Sequence, residues 1–358
     1  MVKILHAADF HLDSAFGALS EERAQQRRQE SRQLVARMVD YANDHQVRLM
    51  LLSGDLFDGE HVYTETMEEV AAALGRFRGA VLIAPGNHDF YDPRSPYTSV
   101  LWPENVHVFA TDRLEKVEFP QYGCTVYGAA FTAREMGEMQ QTLPRGEEAV
   151  KLLVLHGEVG APGSRYRTIS TQWLAQSGVD YAALGHVHEF RGVQKAGNTS
   201  YAYAGCPEGR GFDELGEKGF LMGEVGEGTV QLQFVPFAKR RYQIVQVDVS
   251  AGDAAAAIKE ALSNAEEDIC RVILTGECER ENDLAALEQQ LADCAWQLEI
   301  RDETRRKEDI WQHCGEDSLR GLFLDELRTQ YETADSERRA LIEQAVRYGL
   351  AAMEHREL

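Results

Sequence analysis

Residues 80–91 read AVLIAPGNHDFY. Five apolar residues run into Pro85-Gly86, and Asn87, His88 and Asp89 then stand side by side. A short unbroken apolar run ended by turn residues is the pattern of a strand buried on both faces. The construction recurs four times, in VKILHAADFHLD (2–13), VRLMLLSGDLFD (47–58), VKLLVLHGEVG (150–160) and VDYAALGHVHE (179–189). Each places a β-rich run before Gly or a small residue, and then before side chains able to hold a metal.

Helical patterns lie between these runs. Residues 20–45 open on Ser20, an N-cap, with Glu21 and Glu22 in the first turn, and carry the stripe Leu34, Val35, Met38, Val39. Residues 64–78 carry a second stripe through Met67, Val70, Ala71 and Leu74. Strand–helix alternation predicts an α/β sandwich, in which sites gather at the loops beyond strand ends. From about 190 to 249 the pattern turns β-rich and predicts a second, antiparallel sheet. Beyond it come an Ala-rich helix (253–265), a strand (270–277), a helix (281–293) and a strand (296–303), a small α+β unit. A polar linker over 303–317 leads to two amphipathic helices, 317–331 and 336–354. Leu319, Leu322, Phe323 and Leu327 mark one apolar face there, and Leu341, Ala345, Tyr348 and Met353 the other. The expected domains are 1–249, 250–303, and 304–358 as linker and helical segment.

Composition sets limits. The 358 residues are 44% hydrophobic and 27% charged, ordinary for a soluble globular chain. MVKILHAADF meets Asp9 and His11 too soon for a secretory leader, and no run approaches the roughly 18 apolar residues of a membrane helix. Six cysteines without CxxC spacing point to reduced thiols in the cytoplasm. Against 37 Lys+Arg stand 59 Asp+Glu, a net charge of −22, which opposes general binding of a polyanion. A DNA-directed function therefore needs local positive charge from metals, an Arg cluster or a partner.

The strand ends supply Asp9, His11, Asp55, Asn87, His156, His186 and His188. Carboxylates, imidazoles and one amide carbonyl, without thiolates, suit Mn²⁺, Fe²⁺ or Zn²⁺ and argue against a structural zinc site. Seven ligands exceed one ion's need, whereas two ions sharing a carboxylate would use them. Any one of these motifs alone reads as a strand-end histidine bonded to backbone, or as a turn. Their joint occurrence in this order carries the argument.

The series Asp9-x-His11, Gly54-Asp55, Gly86-Asn87-His88-Asp89, His156 and Gly185-His186-x-His188 resembles the calcineurin-like metallophosphoesterase superfamily, in family order across roughly residues 1–240. The resemblance implies a four-layer α-β-β-α sandwich with a small α+β cap and C-terminal helices. It implies two divalent ions, Mn²⁺ first, with Fe²⁺ or Zn²⁺ as alternatives. One would be held by Asp9, His11, Asp55 and His188; the other by bridging Asp55, Asn87, His156 and His186. His88 would protonate the leaving oxygen or steady the phosphate, with Asp89 orienting it. GDLFDGE (54–60), LHAADFHLD (5–13) and YAGCPEGRGFDELGEKGF (203–220) resemble the DNA-repair exonuclease branch of SbcD and YhaO-like proteins. That implies a DNA exonuclease partnered by a coiled-coil ABC-type ATPase, with a homodimer as its assembly. A phosphodiesterase acting on small nucleotides or other diesters is the alternative, as is a scaffold that only docks an ATPase.

Arg210 lies between two glycines and His61 follows GDLFDGE, and both are candidates for substrate contact. Arg23, Arg27, Arg28, Arg32 and Arg37 punctuate the first helix, as a solvated face or as phosphate contacts. Asp13 and Asp58 are candidates to orient ligating histidines. The terminal helices either pack on the cap or dock the ATPase.

Overall fold

The computed structural model describes residues 1–59, 62–278, 282–307 and 309–353. The chain opens with β1 (Val2–Ala7), α1 (Glu21–Asp44), β2 (Leu49–Leu52), α2 (Thr64–Gly75), β3 (Ala80–Ile83) and β4 (Val106–Val108). The four strands pair in parallel, with Leu5 opposite Met50, Met50 opposite Val81 and Ile83 opposite Val108. Ser20 caps α1 by accepting from the Arg23 N–H, and Glu21 and Glu22 face the positive end of the helix dipole.

The second sheet takes β5 (Glu115–Phe119), β6 (Cys124–Gly128) and β7 (Val150–His156). A short pair, β8 (Glu158–Val159) and β9 (Thr168–Ile169), precedes α3 (Thr171–Ser177), after which β10 (Tyr181–Gly185), β11 (Gln194–Ala196) and β12 (Thr199–Tyr203) complete it. Its order is β11-β12-β10-β7-β6-β5, with Gly185 opposite His156. The chain then returns to the first sheet through β13 (Gly219–Gly226) and β14 (Thr229–Pro236), giving β14-β13-β1-β2-β3-β4.

The β-rich stretch after 190 is thus not a sheet of its own, which corrects the sequence expectation. β11 and β12 extend the second sheet, and β13 pairs antiparallel with β1. The physical reason is burial: Phe220, Leu221 and Met222 are all covered, on both faces of β13, as a central strand requires.

Side-chain alternation builds the layers. Leu5, Met50, Leu52, Val81 and Ile83 face Leu34, Val35 and Met38 of α1 and Met67, Val70 and Leu74 of α2. The opposite faces, Ile4, Leu49, Leu51 and Leu82, meet Val126, Leu152, Val154 and Ala183 of the second sheet. Beyond that sheet, Leu153, Leu155, Ala182 and Leu184 pack with Leu174 of α3. The result is the α-β-β-α sandwich, each large buried side chain contributing roughly 1.5–3 kcal/mol. A buried polar link crosses between the sheets: His6 Nδ1 accepts from the Tyr181 hydroxyl at 2.7 Å, and its Nε2–H donates to the Leu184 carbonyl at 3.1 Å. Burial holds His6 down to about 3, so the imidazole is uncharged.

Most arginines of α1 are engaged by neighbouring side chains. Arg23 reaches Gln297 and lies over Trp296; Arg27 is buried among Glu30, Glu208 and the Gly209 carbonyl. Arg28 pairs with Glu21, Arg32 with Thr66 and Glu69, and Arg37 lies over Phe237. Of the five, Arg37 alone is exposed and has no carboxylate partner among the described residues.

After β15 (Tyr242–Asp248) come α4 (Ala254–Ala261), β16 (Ile269–Thr275), β17 (Glu277–Cys278), α5 (Leu284–Gln290), β18 (Gln297–Asp302) and β19 (Arg305–Arg306). β15, β16 and β18 form a three-stranded sheet, and β17 pairs with β19. The chain divides into two compact units. The first is Met1–Val245 with Leu262–Arg271 and Leu291–Glu299; the second is Gln246–Ala261 with Val272–Gln290 and Ile300–Leu358. Residues 262–271 and 291–299, read from sequence as cap, therefore count with the first unit. The second ends in a hairpin of α6 (Leu319–Thr333) and α7 (Ser336–Met353). Leu324 packs there with Ile342 and Val346, while Leu319, Leu322, Leu341 and Tyr348 are exposed. The buried faces lie a residue or two around the helix from the expected stripes. Among the described residues no helix is long and apolar enough to cross a membrane, and all six cysteines are free.

Candidate metal centre

The five polar loops meet where the C-terminal ends of β1, β2 and β3 face those of β7 and β10. Backbone hydrogen bonds lock the first two together, Asp9 N–H to Gly54 O at 3.0 Å and His11 N–H to Asp55 O at 2.9 Å. The backbone is left-handed at Asp9 (φ 56°), His11 (45°), Asp55 (50°) and His186 (106°). Such conformations cost of order 1–3 kcal/mol each and persist only where surrounding structure holds them. Gly54 (φ 92°) sits so close to His156 Nδ1 that a Cβ would overlap it, and a Cβ on Gly86 would overlap Asp55 Oδ1. The two glycines let the loops approach far enough for their donors to converge.

Tautomers follow from the outer partners of each imidazole. His11 Nδ1–H donates to Asp58 at 3.0 Å and His188 Nδ1–H to Glu214 at 2.7 Å. Their Nε2 lone pairs consequently face each other at 3.2 Å. His156 Nδ1–H donates to the Ser53 carbonyl at 2.9 Å, which turns its Nε2 lone pair to Asn87 Oδ1 at 2.9 Å and Asp55 Oδ2 at 3.4 Å. His186 Nε2–H donates to Glu158 at 3.1 Å and leaves Nδ1 facing the same Asn87 oxygen, also at 3.1 Å. Acceptors pointing at acceptors repel unless a cation lies among them. That is the test a divalent metal must pass here, and the donor set passes it twice.

Asp9, His11 and His188 place one ligand atom each within 4.8 Å of one another, as do Asp9, Asp55 and His156. Asp55 Oδ2 lies between the halves, 3.7 Å from His11 Nε2 and 3.4 Å from His156 Nε2. Asp9 belongs to both groups, where the sequence reading put it in one. Burial opposes a charge on Asp55, but His156, then His11 and His88, outweigh it and hold the carboxyl far below the usual range. Burial also opposes a charge on His156, yet the Asp55 carboxylate beside it raises that imidazole to about 9. In the ion-free site a proton on His156 supplies part of the positive charge the acceptors demand.

His88 takes no part in either ligand group with Asp9 or Asp55. It stands at the open side, its ring edge-on to His11 at 4.7 Å between centroids. Asp89 does not orient it, which corrects the sequence expectation. The Asp89 carboxylate is buried and accepts from the backbone N–H groups of Leu56, Phe57 and Gly86 and from the Tyr97 hydroxyl. It braces the Gly54–Phe57 loop from behind. The carboxylate beside His88 is Asp58, whose Oδ1 lies 3.6 Å from His88 Nδ1. Asp13, in turn, holds the start of α2 through the Tyr63 N–H and the Thr66 hydroxyl.

Arg210 reaches this side of the site, donating to Glu214 at 2.8 Å and to Asp58 at 3.4 Å. His61 lies outside the described residues. Glu158 and Glu214 were not singled out from the sequence. Glu158 follows His156 by two positions, the spacing that sends side chains to one face of a strand; Glu214 had no such signal.

The family model for calcineurin-like phosphoesterases matches residues 2–190. The chain is 32% identical over 259 residues to the uncharacterized metallophosphoesterase YhaO of Bacillus subtilis (strain 168), over 69% of this chain and 63% of that protein. It is 25% identical over 246 residues to the DNA double-strand break repair protein Mre11 of Saccharolobus solfataricus, over 62% of this chain and 60% of that protein. The chain thus spans less than two thirds of the length of either relative. Metallophosphoesterases use divalent ions, the charge that the two acceptor-lined halves require. The matched stretch ends just past His188, the last of the converging donors, and covers more than half of the sequence: this chain belongs to the calcineurin-like phosphoesterase family.

Proposed function

We propose that this protein is a metal-dependent DNA nuclease, exonucleolytic in action, that hydrolyses phosphodiester bonds in DNA repair with a coiled-coil ABC-type ATPase. The observation that carries the reading is Asp55 Oδ2 set between two acceptor-lined halves, with the His88 imidazole free beside them. Similarity to a DNA double-strand break repair protein supports DNA as the substrate. Divalent ions held by Asp9, His11, Asp55 and His188, and by Asp55, Asn87, His156 and His186, would acidify water and offset charge on phosphoryl oxygens, with Mn²⁺ ahead of Fe²⁺ or Zn²⁺. The chain's own groups do the rest. Nε2 of His88 has no partner among the described residues, so the imidazolium form, with Asp58 beside Nδ1, can pass its Nε2 proton to the leaving oxygen and be left as the neutral ring. Arg210 pairs with a phosphate oxygen. The outward Leu319, Leu322, Leu341 and Tyr348 of the α6–α7 hairpin are the surface we assign to the ATPase, in the cytoplasm.

Purified protein with Mn²⁺ should release nucleotides from single- or double-stranded DNA, alone or with the partner. No cleavage in any of those arms would sink the reading. The net charge of −22 favours a second one, a phosphodiesterase of small diesters. Turnover of bis(p-nitrophenyl) phosphate without cleavage of any DNA would select it.

A further inference from the structure

Two carboxylates outside the ligand set, Asp58 and Glu214, each touch both a ligating imidazole and the substrate-facing cation, and Glu214 holds that cation at the shorter distance, 2.8 Å against 3.4 Å. Glu214 comes from the link between β12 and β13, and it is 5% exposed. Its Oε1 accepts from His188 Nδ1 at 2.7 Å and from Arg210 Nη2 at 2.8 Å. Its Oε2 accepts from the Arg210 backbone N–H at 2.8 Å and from Nε at 3.4 Å. The turn between them is closed by the Glu214 N–H on Gly211 O at 3.0 Å. Behind it, buried Arg27 donates to Glu208 at 2.6 Å and to Gly209 O at 3.0 Å, while Glu30 takes its Nη1 at 2.9 Å. The loop is therefore pinned to α1 one residue before Arg210. At the far end of the guanidinium, Nη1 meets Asp58, the carboxylate that also holds His11.

We propose that Glu214 is a positioning residue with two simultaneous duties, aiming His188 Nε2 into the first ion half and presenting the Arg210 guanidinium to a phosphate. Four donors converge on its two oxygens, three of them from Arg210, so neither duty can be changed without disturbing the other. Phosphate affinity and ion affinity in the first half are then coupled through this side chain. A glutamine cannot replace it: with its amide oxygen in the Oε1 place, the NH₂ group would point donors at the Arg210 backbone N–H and Nε, and flipped, at His188 Nδ1 and Nη2. The proposal rests on the phosphoesterase reading in one respect, that the anion met by Arg210 is a phosphate.

Calorimetry on the full chain, with Mn²⁺ and inorganic phosphate as probes, tests it without needing turnover. Arg210→Ala should weaken phosphate about 10-fold or more in the Mn²⁺-loaded protein and change Mn²⁺ affinity by less than Glu214→Gln does. Glu214→Gln should weaken Mn²⁺ in one half by about 10–100-fold. At saturating Mn²⁺ it should also weaken phosphate about as much as Arg210→Ala does. The double variant should bind phosphate no worse than either single one. Glu214→Asp, which keeps the charge but shortens the reach, gives the same two readouts if the glutamine variant fails to fold, with smaller losses of both. Normal phosphate affinity in a Glu214 variant that has lost Mn²⁺ affinity, or the reverse, overturns the double role. Wild-type protein that binds both probes and cleaves no diester would refute the nuclease reading and still leave Glu214 tested.

Discussion

The two halves of the metal centre use the same imidazole chemistry against different backing. In the first, His11 and His188 lean on carboxylates, Asp58 and Glu214, and the His188 side chain is 30% exposed. In the second, His186 leans on the Glu158 carboxylate, but His156 is fully buried and leans on the Ser53 carbonyl. A carboxylate fixes the tautomer and also pushes electron density toward the free nitrogen; a carbonyl fixes the tautomer alone. The first half should hence exchange its ion readily with solvent, whereas the second should load slowly and release slowly. Asp55 is the group they share.

The largest expected effect ignores the difference. Asp55→Ala removes the oxygen between the halves, so elemental analysis should find neither ion and turnover should vanish. His88→Ala should come next, keeping both ions while turnover falls about 10²–10⁴-fold, as for a lost general acid. If the two variants lose metal equally, the division between ligand and proton donor is wrong.

Smaller effects separate the halves. His156→Ala should leave one ion per chain. Asp58→Asn should keep both at high concentration but weaken the first by about 10–100-fold. Identical titration curves for these two variants would erase the comparison. A proton count sharpens it further. His156 is raised to about 9, so at pH 7 the ion-free ring is protonated and must lose that proton to bind. Filling the second half should release close to one proton, read by calorimetry in buffers of different ionisation enthalpy, and affinity there should fall about 10-fold per unit of acidification below about 9.

The smallest effect lies away from the site. His6 is neutral when folded and titrates near 3, while an unfolded histidine titrates near 6.5. The unfolded chain therefore binds the extra proton between those values, and stability falls as pH drops through that window. From this group ion-free protein should lose about 2–3 °C in Tm between pH 7 and 5. His6→Gln should flatten that slope.

Much of this was legible in the sequence, for a local reason. Each donor stands within a few residues of the end of an apolar run, so a linear reading finds it. Pairings that depend on folding were not legible. Asp89 looks like the natural companion of His88 because it is next to it, but the chain bends over Asn87–Asp89 and the Asp89 carboxylate is taken up by backbone N–H groups of the neighbouring loop. Asp89 turns in to the Gly54–Phe57 loop, and Asp58 arrives from a different strand end. Glu214 meets His188 only after the link between β12 and β13 has folded back. The strands after 190 misled for a related reason: their apolar residues announce burial but not which of two sheets will bury them.

The left-handed backbone at Asp9, His11, Asp55 and His186 bears on redesign. Copying these side chains onto another sandwich would not carry the centre across, because ordinary loops would aim the same residues elsewhere. The trace itself would have to be transplanted, with Gly54 and Gly86 included and Asp89 behind it as a brace. A graft lacking that carboxylate is the one we expect to fold and stay ion-free.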